Sequence, residues 1–132
     1  MEMKITFPGN RKVYAEYGEH TIATDQPVQG GGDGSAPAPF DLFLASIGTC
    51  AGIYVLAFAQ KRGLPTEGLE IIQRMVPNPE TRLMGKISLE IKIPRDFPEQ
   101  YRESLINAAN LCLVKKTIAQ PPEFEITTTR NS

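Results

Sequence analysis

The run from Leu42 to Ala59, LFLASIGTCAGIYVLAFA, is the longest apolar stretch of the chain and carries no charged residue. Its length is near the lower limit for a membrane-spanning helix, but small and polar residues dilute it and no second run of this kind exists. The pattern is more typical of a helix that is buried on all sides in a globular core. A chain of this size has little core to surround such a helix, so we expect a second subunit to cover part of it.

Composition and charge narrow the class of protein. The length of 132 residues predicts one domain, residues 1–132. The composition, with 41% hydrophobic and 22% charged residues, is typical of a globular chain. With 14 basic and 15 acidic residues the net charge is −1, so a general nucleic-acid-binding surface is excluded. The single histidine argues against a serine–histidine triad or a histidine-rich metal site. We therefore expect neither nucleic acid nor membrane as a partner.

The first residues, Met1-Glu2-Met3-Lys4, are followed by alternation and not by the apolar segment of a secretory signal. We therefore expect a cytoplasmic protein, in which a permanent disulfide is uncommon.

Hydrophobic periodicity predicts an α+β fold. Apolar residues alternate with polar ones in the strands and recur every three or four positions in the helices, while proline and glycine mark the turns. The predicted elements are three strands within residues 3–24, a flexible glycine-rich loop at 30–39, a helix at 39–61, strands at 69–75 and 87–93, a helix at 98–118 and a strand at 124–128. The resulting order, βββ-α-ββ-α-β, lacks the repetition of a parallel α/β fold.

Cys50 and Cys112 are the only cysteines, and they form neither a CxxC pair nor a four-cysteine zinc site. They could be two inert buried thiols, one disulfide or a redox couple. Cys50 lies nearly three turns inside its predicted helix, too deep for the helix dipole to activate it, so a reactive Cys50 needs a cation from elsewhere. Lys115 and Lys116 would lie near the Cys112 sulphur if the second helix continued through this region. Local sequence alone favours inert thiols.

Both cysteine segments resemble motifs of the OsmC/Ohr family. Residues 39–52, PFDLFLASIGTCAG, resemble the central-helix motif that carries the family's reactive cysteine, and residues 112–118, CLVKKTI, are similar to its second cysteine motif. The glycine-rich loop and the predicted order of elements also fit. The resemblance spans nearly the whole chain and is to the broader OsmC-like branch.

The resemblance implies a thiol peroxidase that reduces organic hydroperoxides, and hydrogen peroxide less well, in oxidative stress defence. It also implies an intertwined homodimer with the two long helices buried at its centre. Cys50 would attack the peroxide and become a sulfenic acid, Cys112 would resolve it as a disulfide, and a dithiol reductant would restore both thiols. No metal or organic cofactor is implied.

An arginine near the N-terminus holds the reactive thiolate in this family, and the corresponding turn here is Gly9-Asn10-Arg11. Without the resemblance, the residues alone favour a solvated arginine at the tip of a hairpin. The family's acidic residue directly follows the proline in the organic-hydroperoxide branch, whereas here Phe40 occupies that position and Asp41 follows it. Asp41 and Cys50 would face opposite sides of an ideal helix, so two roles are open for Asp41: orienting Arg11, or stabilising the helix N-terminus. Leu113 stands where many peroxidase members have proline, a position that affects the bend of the second helix.

These departures keep two other functions open beside the peroxidase. One is a non-catalytic OsmC-like protein that binds a small apolar ligand at the dimer interface. The other is a structural or interaction domain whose buried thiols do not react.

Overall fold

Three short strands at the start of the chain form an antiparallel meander. The computed structural model, which describes residues 1–131, contains the strands β1 (Lys4–Gly9), β2 (Lys12–Tyr17) and β3 (His20–Thr24) in the sheet order β1-β2-β3. Ile5 lies opposite Ala15, and Ala15 lies opposite Ile22, so one apolar row crosses the sheet. Asn10, with φ 47°, makes the β1–β2 turn in the left-handed region that asparagine tolerates better than most residues. The predicted meander is confirmed.

The apolar run forms the long helix α1 (Pro39–Lys61), with the bounds that the sequence predicts. Gly63, with φ 63°, takes the left-handed conformation just beyond its C-terminus, and the Leu64 N–H donates to the Ala59 carbonyl at 2.9 Å. By length and composition alone α1 could cross a membrane, but helices in the cores of soluble proteins pass the same test.

One row of α1 is buried within the chain and the opposite row is open to solvent. Residues at four-residue spacing share each row. The buried row is Ile47, Ala51, Val55 and Ala59, and the exposed row is Ala45, Thr49, Ile53 and Ala57. The exposed row contains no charged side chain. A single chain therefore covers only part of the helix that the sequence predicts to be wholly buried.

After α1 the chain forms a long hairpin and two short helices. The strands β4 (Glu70–Pro77) and β5 (Met84–Lys92) pair antiparallel, with Ile71 opposite Ile91 and Met75 opposite Ile87. A 3-10 turn leads into α2 (Arg102–Ala109), and α3 (Leu113–Ala119) follows. The buried core of this region joins α1 to α2 through Val55, Phe97 and Leu105.

Two predictions about local structure are wrong. The second helix is not continuous from 98 to 118, because residues 110–112 break it into α2 and α3. Residues 121–131 form no strand, and Phe124 and Ile126 are 85% and 94% exposed. The glycine-rich segment is a loop as predicted, and its backbone makes hydrogen bonds such as Gly32 N–H to the Pro27 carbonyl and Gly34 N–H to the Gln26 carbonyl, each at 3.1 Å.

The chain divides into two compact units, Met1–Ser46 and Ile47–Ser132. The first contains the meander, the glycine-rich loop and the start of α1. The second contains the rest of α1, the β4–β5 hairpin and both short helices. The expectation of a single domain stays a prediction.

Candidate functional site: the paired thiols and the arginine turn

The break between α2 and α3 places Cys112 at the start of a helix. Cys112 is the N-cap of α3, with φ −47° and ψ 121°, and its sulphur accepts a hydrogen bond from the Lys115 N–H at 3.4 Å. Its thiol lies 3.9 Å from the Ile47 carbonyl oxygen of α1, to which it can donate. The side chain is only 2% exposed. These contacts fix Cys112 against α1, one turn before Cys50.

Cys50 lies half-buried on α1, and both cysteines are free thiols. The backbone N–H of Val114 is the main cause that lowers the pKa of Cys50, and partial burial opposes it. The Cys112 thiol and the Leu113 N–H add smaller lowering contributions. The two predicted cysteines therefore lie close enough for the Cys112 thiol to favour the Cys50 thiolate.

Backbone N–H groups act on both thiols, which the sequence did not indicate. Sequence reasoning sought a side-chain cation for Cys50, yet backbone N–H groups at the start of α3 already favour its thiolate. The Lys115 ammonium was expected near the Cys112 sulphur in a continuous helix. The ammonium donates to the Asn110 side-chain oxygen at 2.6 Å, and it is the Lys115 backbone N–H that donates to the sulphur, at 3.4 Å. The break in the helix is what leaves the Lys115 backbone N–H without a carbonyl partner, so that it can bond the sulphur.

A cavity of about 460 Å³ lies beside Cys112. Aliphatic side chains from α1, β5 and the short helices form most of its wall, and Arg102, Asn110 and Lys115 are its polar members. The aliphatic lining includes Ile47, Ala51, Ile87, Leu89, Ile91, Leu105 and Ile118. Cys50 is not among the lining residues, although Ile47 and Ala51 are its neighbours on α1. The cavity can hold an apolar group close to the second cysteine.

Arg11 lies in the first unit, at the exposed tip of the β1–β2 hairpin. Its side chain passes over the glycine-rich loop, because a Cβ atom built on Gly31 would stand 3.6 Å from the Arg11 Nε. Within residues 1–131, no carboxylate forms an ion pair with its guanidinium. Its predicted role toward Cys50 stays a prediction.

Asp41 stabilises the start of α1. Its carboxylate accepts from the Ala38 N–H at 3.2 Å, and its own N–H donates to the Ala38 carbonyl at 3.0 Å. The Ala38 N–H would otherwise lack a partner at the start of the helix, and the Asp41 carboxylate supplies one. Of the two roles open for Asp41, this geometry supplies the one at the helix N-terminus, and orientation of Arg11 stays a prediction.

Sequence reasoning missed Asp25, a buried acid that organises the glycine-rich loop. Its carboxylate accepts from the Gln26 N–H at 2.7 Å, from the Ser35 N–H and hydroxyl at 3.0 and 2.6 Å, and from the Asp33 N–H at 3.3 Å. The Ser35 hydroxyl leads these donors in lowering the pKa of Asp25 to about 2. An aspartate between a strand end and a glycine-rich loop was the available signal, since aspartate readily bonds nearby backbone N–H groups.

The chain thus combines an α+β fold with a half-buried thiol of lowered pKa beside a second, buried thiol. The chain belongs to the OsmC-like family: the family model described as OsmC-like protein matches residues 32–127, well over half of the sequence. This confirms the resemblance drawn from the two cysteine segments. No curated protein is significantly similar to the chain in sequence.

Solved structures of OsmC and Ohr proteins share the fold. A protein from Psychrobacter arcticus 273-4, provisionally described as an osmotic stress induced and detoxification response protein, is 23% identical with a TM-score of 0.72, over 87% of this chain and 85% of that one. The organic hydroperoxide resistance protein OsmC of Legionella pneumophila is 20% identical with a TM-score of 0.53, over 89% and 87%. The organic hydroperoxide resistance protein OhrB of Bacillus subtilis is 20% identical with a TM-score of 0.51, over 89% and 90%. At these identities the likeness establishes the α+β OsmC-like fold.

Proposed function

We propose that this protein is a thiol-dependent peroxidase that reduces organic hydroperoxides in oxidative stress defence. The observation that carries the proposal is the Cys50 thiol, whose pKa is lowered by the Val114 N–H and which lies within reach of the buried Cys112 thiol. A thiolate is the nucleophile in peroxide reduction, and a neighbouring thiol is what a sulfenic acid needs to form a disulfide. The hydroperoxide resistance proteins of the same fold support this reading.

The proposed reaction has three steps. The Cys50 thiolate attacks the terminal peroxide oxygen, so that an S–O bond forms, the O–O bond breaks and the alkoxide leaves as the alcohol after taking up a proton. Cys112, as thiolate, then attacks the Cys50 sulphur, an S–S bond forms, and hydroxide leaves and is protonated to water. A dithiol reductant returns both cysteines to thiols and is itself oxidised to a disulfide. In the second step the sulphurs must approach to the bonded distance of about 2.05 Å.

The cavity beside Cys112 supports an organic oxidant over hydrogen peroxide. Its aliphatic wall, including Leu89, Ile91 and Leu105, would bury an alkyl or aryl group but gain nothing from a small polar peroxide.

Arg11 and Asp41 complete the proposed machinery. Arg11 would favour the Cys50 thiolate and the developing negative charge on the peroxide oxygens, because its guanidinium carries several donors and keeps its charge at all relevant pH. Asp41 would fix the start of the helix that carries Cys50. A cytoplasmic location, where dithiol reductants keep cysteines reduced, accords with the two free thiols.

We also propose a homodimer built on the open row of α1. Ala45, Thr49, Ile53 and Ala57 form an uncharged surface, and small residues allow two helices to approach closely. Ile53→Glu is expected to yield monomers in sedimentation analysis, whereas Lys61→Glu at the exposed end of the helix is expected to leave the wild-type mass. A wild-type monomer at micromolar concentration would contradict this part of the proposal.

The peroxidase proposal is tested by the consumption of cumene hydroperoxide with dithiothreitol as reductant. We expect turnover by the wild type and none above background by Cys50→Ser. Without reductant, Cys112→Ser should consume one equivalent of peroxide and retain a sulfenic acid, whereas the wild type should lose two hydrogen atoms as an internal disulfide by mass spectrometry. Equal consumption by the wild type and Cys50→Ser would refute the proposal.

A second candidate is a non-catalytic protein that binds a small apolar ligand. The observation that favours it is that the cavity borders Cys112 and not Cys50. This candidate predicts that an apolar alcohol such as cumyl alcohol binds in calorimetry and that Ala109→Phe weakens the binding. It also predicts that the wild type and Cys50→Ser consume peroxide equally.

A further inference from the structure

We infer that the reductant attacks the Cys112 sulphur of the Cys50–Cys112 disulfide, that it approaches through the aliphatic cavity, and that Cys50 is the leaving thiolate. The inference rests on the proposed function, in which this disulfide forms, and it deepens the last step by naming the sulphur that is attacked. It gives Cys112 a second task in the cycle and gives the Lys115 ammonium a place in the reduction.

One of the two cysteines borders the cavity and the other does not. Cys112 is among the lining residues, and the rest of its side chain is buried, so the cavity is its route for a small molecule. Ile47 and Ala51 of α1 also line the cavity, and at about 100° per residue Cys50 points about 80° away from their midline. A thiolate attacks a disulfide in line with the S–S bond, on the sulphur to which it has access. A nucleophile in the cavity therefore meets Cys112 first.

The leaving sulphur is the one whose thiolate the structure stabilises. The Val114 N–H is the main cause that lowers the pKa of Cys50, and the Leu113 N–H adds to this effect. In thiol–disulfide exchange a leaving thiol of lower pKa departs faster. Attack on Cys112 therefore expels a thiolate that already has its donors, and it returns Cys50 directly to the form that attacks peroxide.

The charged side chains that line the cavity, Arg102 and Lys115, are both basic. The Arg102 guanidinium pairs with the Glu99 carboxylate at 2.9 Å. The Lys115 ammonium donates to the neutral Asn110 side-chain oxygen at 2.6 Å, and within residues 1–131 it forms no ion pair. Lys115 therefore keeps a positive charge at the wall that leads to Cys112, where it attracts an anionic nucleophile.

The reduction consists of two exchanges. In the first, a thiolate of the dithiol forms an S–S bond with Cys112, the Cys50–Cys112 bond breaks, and its electron pair leaves on the Cys50 sulphur. In the second, the other thiolate of the dithiol attacks the reductant sulphur that is bound to Cys112. The reductant closes an internal disulfide, and Cys112 leaves as a thiolate and takes up a proton. The dithiol loses the two electrons that the protein disulfide gains.

The test locates the first mixed disulfide on the wild-type protein. Diamide joins Cys50 to Cys112 without any need for peroxidase activity, and the oxidised protein is then treated briefly with benzyl mercaptan, which lacks the second thiol of a dithiol. After acid quenching and alkylation with N-ethylmaleimide, peptide mass spectrometry shows which cysteine carries the benzylthio group. At the earliest times we expect it on Cys112 in at least about tenfold excess, because access and the leaving thiolate both favour this site.

A pair of neighbouring lysines tests the approach through the cavity. Lys115→Gln is expected to slow the formation of the mixed disulfide about threefold, the size expected for one exposed charge. Lys116→Gln is the matched control, because Lys116 is an exposed lysine of α3 that does not line the cavity, and it should keep the wild-type rate. High salt should reduce the difference between the two variants, which a purely structural role of Lys115 would not predict.

Four outcomes would overturn the inference: a benzylthio group mainly on Cys50, equal labelling of both cysteines, failure of diamide to join them, or equal rates for Lys115→Gln and Lys116→Gln. The proposed function is judged separately, by the turnover of cumene hydroperoxide. Labelling on Cys112 without turnover refutes the peroxidase and retains the order of attack. Labelling on Cys50 with turnover refutes the order of attack and retains the peroxidase.

Discussion

Gly32 is the position in the glycine-rich loop where a single methyl group should do most damage. A Cβ atom built there would stand 2.0 Å from the Gln26 carbonyl oxygen and 2.8 Å from an Asp25 carboxylate oxygen. Real Cβ atoms stay beyond 3.0 Å, so the backbone would have to open by about 1 Å. The neighbour is a carbonyl and not the end of a flexible side chain, so the change cannot be absorbed locally.

The size of the effect follows from the hydrogen bonds that such an opening would break. The Gly32 N–H donates to the Pro27 carbonyl and the Gly34 N–H to the Gln26 carbonyl, each at 3.1 Å. A backbone hydrogen bond contributes about 1 kcal/mol net, and residual crowding adds to the loss. We therefore expect Gly32→Ala to lower the free energy of unfolding by about 2–3 kcal/mol.

Gly30→Ala is the matched control. A Cβ atom there would meet only Pro27 and Gln26 side-chain atoms, at 3.6–3.7 Å, which is ordinary contact. This variant should be unchanged or more stable by up to about 1 kcal/mol, because alanine restricts the unfolded chain. Urea unfolding followed by circular dichroism compares the two. A Gly32→Ala stability within about 0.5 kcal/mol of Gly30→Ala, a difference typical of neutral surface changes, would refute the account of this loop.

Three further predictions concern the acid and the thiols. The pKa of Asp25 is lowered to about 2 from 3.8, so the contribution of its carboxylate to stability is complete above pH 4 and is lost as the pH falls toward 2. In acid-unfolding measurements, the difference in stability between the wild type and Asp25→Asn should therefore shrink over this interval. Cys112→Ala should raise the pH midpoint at which the Cys50 thiol is alkylated, and Cys112→Ser should raise this midpoint less, because serine still donates to the thiolate. Equal midpoints for the two variants would contradict this prediction. Leu113→Pro should keep the wild-type circular dichroism spectrum, because proline suits the first position of a helix. It should raise the pH midpoint of Cys50 alkylation only slightly, because the main donor, Val114, is retained. A midpoint as high as that of the unfolded protein would contradict this prediction.

The elements predicted most accurately are those whose signals are local and complete. The apolar run, Pro39 at its start and Gly63 beyond its end fix α1 at both termini, and the predicted bounds are those observed. Turn residues and alternation likewise fix the meander, because each hairpin closes within a few residues of its own signal. No long-range information is needed for either.

The missing last strand shows where such signals end. Phe124, Ile126 and Thr128 do alternate, but alternation indicates which face a side chain would occupy in a strand and cannot supply the neighbouring strand. In the single chain this segment pairs with nothing between residues 121 and 131, and its apolar side chains are exposed. The alternation in the sequence was therefore recognised correctly, and the predicted strand is absent because no neighbouring strand pairs with it.

The break at residues 110–112, which the sequence did not predict, matters more for the site, because it frees the N–H donors that act on the thiols. In an unbroken helix the N–H groups of Leu113, Val114 and Lys115 would be bonded to carbonyls four residues earlier. With Cys112 at ψ 121°, those three N–H groups become the free first turn of α3. The Lys115 N–H donates to the Cys112 sulphur, and the Leu113 and Val114 N–H groups lower the pKa of Cys50. Proline is not required for this bend, since Leu113 follows a backbone already in the conformation that precedes proline. The departure at Leu113 therefore leaves the thiol arrangement intact, and it adds one N–H donor to the Cys50 thiolate that a proline would lack.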